Sequence, residues 1–473
     1  MHVRNTMASA GLLGHAVASS TCGSWFSSIP DLSSSTTISC GAQDTRWSAY
    51  AAPEPGSIVT VGDEADIAKL VKAATQAKVP FLLQSGGNGW ADTFTLGSSG
   101  TVFDVSGLKD VTFNQDKTEV TFQTGVTNED IINAAWSNDA RVSASTCNCV
   151  SLLGATLGGG LSRIQGVYGL NVDQLISINF VNASGISETI TPESNSDLWW
   201  ALTGAGANFG IVTSATYKAE PIAQADNSAW TGLLFFNETQ LEDVITAIDN
   251  LTLEPEMQMD MYLAASPLDG KPGVLVLPFY LGTEDVGREK FASILALNPI
   301  ADMTAVTPYN EWNAAGDAFC TPGGRKPSYT VGLVNMDPTT WRSVWNEFVA
   351  FFDANPEANQ TSVLTECYST ASTAKSVTNG GSTSYPHRDI KCYGIAIPWY
   401  TSPSLDAQAT AMGSKIRNYW RSTAGTSAPS SYVNFAHGDE PLDVIYGASL
   451  SKLTTLKEQY DPAKLFNQWF PLS

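Results

Sequence analysis

The spacing of apolar and polar positions changes character along the chain. Between residues 58 and 218 it is mixed. Residues 58–61 read as a short strand, and Asp63 can cap a helix whose Ile67, Leu70, Val71 and Ala74 recur at helical spacing. Phe81–Gln84 predicts a second strand, running into the turn Ser85-Gly86-Gly87-Asn88-Gly89-Trp90. Thr101–Asp104 is strand-like, Glu119–Gln123 alternates with period two, and Thr127 with Asp130 opens a helix carrying Ile131, Ile132, Ala135 and Trp136. Leu175–Val181 and Ile211–Lys218 are further strands, with a short apolar helix over residues 197–202 between them. Near Pro221 the texture shifts. Longer strands at 230–236, Met257–Ala265, 274–280 and 393–399 interleave with amphipathic helices at 241–251, 340–352 and 407–420, which predicts an antiparallel sheet with helices on one face. The tail predicts a strand at 432–435 and a helix at 449–460.

Glycine interrupts this patterning. Gly154, Gly158, Gly159 and Gly160 fall within seven positions, and Leu152, Leu153, Leu157 and Leu161 punctuate the run. Glycine gives up more backbone freedom on folding than any other residue. Such a run therefore suits main chain that passes close to a bulky ligand, where bare N–H groups can cradle a pyrophosphate. A second cluster, Gly204 to Gly210, precedes a strand rather than a helix and lacks the dinucleotide fingerprint.

Length and charge narrow the picture. At 473 residues the chain exceeds one compact core, and its net charge of −21 argues against nucleic acid or an anionic membrane as partner. No apolar run is long enough to span a bilayer. Residues 1–18 have the order of a secretion leader: Arg4, an apolar core from Met7, then Ala16-Val17-Ala18. Residues 19–50 are Ser/Thr-rich and read as irregular, with Cys22 and Cys40 placed for a local disulfide. Sequons stand at Asn182, Asn237, Asn250 and Asn359, and together these features point to a secreted glycoprotein. Only four histidines are present, two of them in the leader, and Cys147-x-Cys149 cannot complete a zinc site alone, so no metal is expected. Neither a Gly-x-Ser-x-Gly elbow nor a phosphate loop ending in Gly-Lys-Ser/Thr occurs.

One ordered series of short motifs says more. Gln84-x-Gly86-Gly87, Asp104-x-Ser106-x-Leu108, Gly154 to Gly160, Tyr168-Gly169-Leu170-x-x-Asp173, Asp197-Leu198-Trp199-Trp200-Ala201-Leu202-x-Gly204-x-Gly206-x-Asn208-Phe209-Gly210 and Tyr432-x-Asn434 follow one another along the chain. The series resembles the berberine-bridge-enzyme-like FAD-linked oxidases, members of the vanillyl-alcohol-oxidase or PCMH-type flavoproteins. It covers about residues 50–221 and 430–470. The resemblance implies an α+β fold: a PCMH-type FAD-binding domain over 51–221, completed by a returning segment at 430–473, with a substrate domain at 222–429 inserted between. It also implies an enzyme that passes a hydride from a small-molecule substrate to FAD, with O2 taking the electrons on. Many such enzymes serve secondary metabolism and others oxidise sugars; the apolar inserted segment points to a hydrophobic or phenolic metabolite.

The departures from that pattern shape the expected site. The family often bonds the flavin through a histidine after Gly-Gly, where this chain has Asn88, and Gln84 replaces a customary basic residue. An amide cannot make the histidyl bond, so FAD is expected without a covalent link. Cys147 maps by spacing onto a second, cysteinyl tether; the alternatives are a small buried residue or a disulfide with Cys149. Phe435 stands where a tyrosine base is common, leaving Tyr432, His437 and His387 as proton-acceptor candidates. Alternation would set His387, Asp389, Lys391 and Tyr393 on one strand face. Gly86, Gly87, Asn88, Gly154, Thr156, Gly158, Gly159 and Gly210 are expected to line the cofactor, with Ser106, Leu108, Cys147, Val212 and Asn434 as further contacts. Loss of the tether and the tyrosine also admits a redox-neutral isomerase or cyclase, and a degenerate ligand-binding scaffold is a third reading.

Overall fold

The computed structural model describes residues 23–373 and 383–472. The expected leader and Cys22 of the expected Cys22–Cys40 bridge lie outside those residues. The first layer begins with β1 (Thr37–Cys40), β2 (Ser57–Thr60), β3 (Phe81–Gln84) and β4 (Thr101–Asp104), ordered β1-β2-β4-β3 with parallel pairing of β2, β4 and β3. The helix Glu64–Ala77, capped by Asp63, returns the chain between β2 and β3, as parallel pairing requires. It buries Ile67, Leu70, Val71 and Ala74 in a small core with Phe81 and Phe103.

A second sheet contains β5 (Val111–Phe113) and β6 (Glu119–Gln123) and, after the two-residue β7 (Ala140–Arg141), β8 (Leu175–Val181), β9 (Ser187–Ile190) and β10 (Ile211–Lys218). Its order is β5-β6-β10-β8-β9. β7 pairs separately with β11 (Glu220–Pro221). Thr127 and Asp130 form the expected capping box on the helix Asn128–Ser137. From Ser228 the chain builds one antiparallel sheet from β12 (Ser228–Phe236), β13 (Met257–Ala265), β14 (Pro272–Tyr280), β15 (Ala301–Pro308), β16 (Tyr329–Leu333), β17 (Ser362–Tyr368) and β18 (Cys392–Ile397), ordered β15-β12-β14-β13-β17-β18-β16.

The central strands of this sheet are covered on both faces. On β13, Met257, Met259, Met261 and Leu263 pack under the helices Leu241–Asn250, Pro338–Ala354 and Asp406–Thr423, whose Val244, Ile248, Trp341, Phe348, Ile416 and Trp420 share one core. The alternate residues Leu364 and Tyr368 of β17 and Tyr393, Ile395 and Ile397 of β18 join a different core, shared with the first half of the chain. Period-two alternation thus assigns each strand two jobs.

The chain's end returns to the first half. Lys457 Nζ donates to the carbonyls of Asn208 (2.6 Å) and Phe466 (2.8 Å) and to Asp461 (2.8 Å). Asn434 donates to the Ala155 carbonyl at 2.8 Å. Residues 432–435 form a turn, not the expected strand, closed by Phe435 N–H on the Tyr432 carbonyl (2.9 Å). The chain must reverse there to place both Tyr432 and Asn434 against the glycine-rich segment.

Candidate functional site

A cavity of about 350 Å³ lies between the helix-free face of the large sheet and the glycine turn after β3. Gly86, Gly87, Asn88 and Gly89 form one wall; Tyr262, Leu364, Glu366, Tyr368, Ile395 and Ile397 form the facing one. Trp90, Phe319, Phe435 and Trp469 add aromatic surface, and Cys147 and Gly154 lie along the side. Among the described lining residues Arg46 is the one cation and Glu366 the one carboxylate.

The glycine turn is built for close approach. Gly87 sits at φ +66°, a conformation L side chains rarely adopt, and a Cβ at Gly86 would come within 2.6 Å of Asn88 and 3.0 Å of the Cys149 carbonyl. Among the described residues, no backbone N–H from Gly86 to Trp90 donates to an acceptor within the protein, although the Gly87 and Gly89 carbonyls accept from Trp47 and Arg46. Gly87 is buried, Asn88, Gly89 and Trp90 are half-buried and Gly86 is exposed, and a main-chain N–H shielded from water is almost always paired. A run of free donors on a cavity wall, with a guanidinium beside it, fits the phosphate and ring oxygens of FAD. With its amide nitrogen turned inward, Asn88 donates to the Gly86 (2.9 Å) and Cys149 (3.2 Å) carbonyls and closes the turn.

The longer glycine run meets side chains of the protein itself. A Cβ at Gly158 would fall 2.4 Å from Asn434, one at Gly159 2.8 Å from the Tyr385 ring, and one at Gly160 2.5 Å from Asn171. At Gly210 the close neighbour is the Phe180 ring. Of the glycines in that run, only Gly154 reaches the cavity, beside Ala155. Thr156 is buried, donating to the Leu152 carbonyl (2.7 Å) and bonded to the Tyr217 hydroxyl. Leu108 and Val212 are core residues and Ser106 is exposed; none of the three lines the cavity.

Of the two alternatives to a tether at Cys147, the disulfide with Cys149 does not form. Cys149 is bonded to Cys320, which ties the side of the cavity to the segment carrying Gly316 and Phe319, and Cys367 is bonded to Cys392 across β17 and β18. Cys147 remains a thiol, 3.6 Å from the Cys149 sulfur, and burial raises it to about 11. Cys147 and Cys149 lie two residues apart in a turn, with Val150 N–H 3.4 Å from the Cys147 carbonyl, and it is the facing Cys320 that Cys149 bonds.

His387 and His437 lie off the cavity. His387 Nε2 sits 2.9 and 3.0 Å from the Val444 and Ile445 carbonyls, and burial holds its pKa below the usual histidine value. His437 Nδ1 meets the Ser328 carbonyl at 2.9 Å, with its ring stacked on Tyr329. The expected strand face of His387, Asp389, Lys391 and Tyr393 does not form, because β18 begins only at Cys392. Lys391 instead donates to the Ile248 and Asp249 carbonyls.

Tyr432 does line the cavity. Its hydroxyl accepts from Gly160 N–H (3.0 Å) and Asn434 Nδ2 (2.7 Å). Burial outweighs those donors and pushes its pKa up to about 12.

Sequence reasoning missed Glu366. It stands on β17 directly opposite Asp260 on β13 and Tyr393 on β18. The Tyr368 hydroxyl donates to it at 2.5 Å. Asp260 is held by Arg163 (3.1 Å) and by Gln258 (2.5 Å). Burial, then repulsion from Asp260, raises Glu366 to about 8, while the Tyr368 hydrogen bond and Arg163 pull the other way. A buried acid tuned to the working range, facing an apolar slot opposite a donor-rich turn, can accept a proton from a bound hydroxyl.

The chain is similar to known proteins over most of its length. Residues 55–191 match the FAD binding domain family model, and residues 431–469 match the berberine and berberine-like model. The chain is 32% identical over 432 residues to the FAD-linked oxidoreductase OXR1 of Pyricularia oryzae, covering 89% of this chain and 84% of that protein. Its fold is similar to Physcomitrella patens BBE-like 1, with a TM-score of 0.81 at 18% identity, covering 96% and 99% of the two chains. It is also similar to the xylooligosaccharide oxidase of Myceliophthora thermophila C1 in complex with xylobiose, with a TM-score of 0.77 at 21% identity, covering 93% and 97%.

Proposed function

The chain belongs to the berberine-like FAD-linked oxidoreductases, and on that premise we propose that it oxidises a small hydrophobic or phenolic alcohol, with Glu366 as proton acceptor and O2 as final electron acceptor. Bound FAD supplies the hydride acceptor. The turn at Gly86–Gly89, Gly154 and Asn434 hold the cofactor in this reading, with no covalent bond through Asn88. Leu364, Ile395, Ile397 and Phe319 orient an apolar substrate and exclude water. Glu366 takes the hydroxyl proton, and Tyr368 steadies the carboxylate that does so. The observation that carries the proposal is Glu366: it is the one carboxylate lining the cavity among the described residues. The apolar wall around it favours an aromatic or alkyl substrate over a sugar, whose many hydroxyls would go unpaired there. The names of the relatives give the redox-neutral alternative no support. Two disulfides among the described residues support an oxidising, secretory setting, and no helix among them is long and apolar enough to cross a membrane.

The test is anaerobic mixing of the purified protein with 4-hydroxybenzyl alcohol, and separately with xylobiose. Loss of the flavin's visible absorbance with the phenolic alcohol, and its return with peroxide when air is admitted, is expected. Bleaching by xylobiose alone would overturn the substrate class. Bleaching without recovery in air would remove O2 as acceptor.

A further inference from the structure

Arg46 stands in the segment that reads from sequence as irregular, yet it is 6% exposed and lies at the glycine-turn end of the cavity. Its Nη2 donates to the Gly89 carbonyl (3.1 Å), its Nη1 donates to Gln84 Oε1, and its guanidinium lies 4.6 Å from the centre of the Phe94 ring. The nearest carboxylate, Asp44, is 3.8 Å away and spends one oxygen on Gln84 Nε2 (2.7 Å). The other Asp44 oxygen and Arg46 Nε are buried with no hydrogen-bond partner. A buried guanidinium with spare donors, next to a row of free N–H groups, is a site waiting for an anion.

Gln84 explains why the charge sits here. It occupies the place where the family resemblance gives a basic residue, and its side chain is the partner of Arg46. An arginine at 84 would set two cations side by side. We propose that Arg46 supplies the positive charge missing at position 84 and neutralises the pyrophosphate of the bound dinucleotide. This rests on FAD binding, not on the substrate assigned above.

The experiment uses full-length apoprotein in a Cys147→Ser background, so that no thioether can hold the cofactor, titrated with FAD and with riboflavin by fluorescence quenching. Riboflavin has the ring system but no phosphate. Arg46→Gln is expected to weaken FAD binding by about 10–100-fold and to leave riboflavin affinity unchanged. The exchange Arg46→Gln with Gln84→Arg is expected to restore most of the FAD affinity, which a merely structural arginine would not allow. Gln84→Glu keeps the guanidinium but sets a carboxylate against it, and should also weaken FAD selectively, which covers the case of an Arg46→Gln chain that does not fold. Unchanged FAD affinity in Arg46→Gln or Gln84→Glu, equal losses for FAD and riboflavin, or no recovery in the exchanged pair would each overturn the proposal.

Discussion

Glu366 faces Asp260 across β13 and β17, and Arg163 hydrogen-bonds only Asp260 of the two. A single guanidinium behind two buried carboxyl groups favours ionising one of them and leaves the other, on the cavity side, to hold its proton. Glu366 is therefore set near the working pH by burial first and by its neighbour's charge second.

That arrangement predicts the pH profile. With Glu366 at about 8, kcat/KM should rise through that pH as the carboxyl ionises and level off above it. Glu366→Gln should lower kcat by about 10²–10⁴-fold and remove the limb. Stability gives an independent reading. A carboxyl whose folded pKa lies above its unfolded value binds more protons folded, so the wild type should lose stability as pH rises from the ordinary glutamate range towards 8. Thermal melting of Glu366→Gln should lack that decline. A profile unchanged by the substitution would acquit Glu366.

Tyr368 supplies the hydrogen bond that lowers Glu366. Tyr368→Phe should move the midpoint of the pH–rate limb upward by about one unit, while the plateau rate changes less. An unmoved or acid-shifted limb contradicts the assignment.

Covalent attachment can be read directly. Acid precipitation of the wild type should leave flavin in the supernatant, because burial keeps the Cys147 thiol protonated to about pH 11. Cys149→Ser, which opens a bridge between positions 171 apart, should cost about 2–5 kcal/mol in denaturant unfolding. A flavin-coloured pellet, or a Cys149→Ser chain as stable as the parent, would contradict these expectations.

Gly158 separates two uses of glycine. Its added Cβ would strike Asn434 and Val433, so Gly158→Ala should destabilise by about 1–3 kcal/mol with or without cofactor. Melting curves of the apoprotein and the FAD-loaded form decide the matter. A loss confined to the loaded form would mean the glycine makes room for the cofactor instead.

Elements with strong periodicity were legible in the sequence: the helix at Thr127, with its capping box, and β13, bounded at Met257 and Ala265, form as their patterns predict. The turn at 432–435 was not, because three of its four residues are strand formers and Asn434 alone is a weak sign of the reversal that tertiary contacts with Ala155 and Gly160 impose. Glu366 was obscured for a related reason. In β17 it is one carboxylate in an otherwise uncharged run, and its partner Asp260 is the same in β13. Two strands buried on both faces, each with a lone acid, were the available signal. Arg46 had none, since its contact with Gln84 joins positions 38 apart, on either side of β2 and the helix that follows it.

The alternation along β17 and β18 has a wider result. Leu364, Ile395 and Ile397 project toward the slot while Val363, Cys367, Cys392 and Ala396 anchor the helix layer behind. Slot lining and helix-layer packing thus fall on interleaved positions of the same strands. A substitution in the first set reshapes the slot and the core it shares with the first half of the chain, while the layer of helices behind keeps its own contacts.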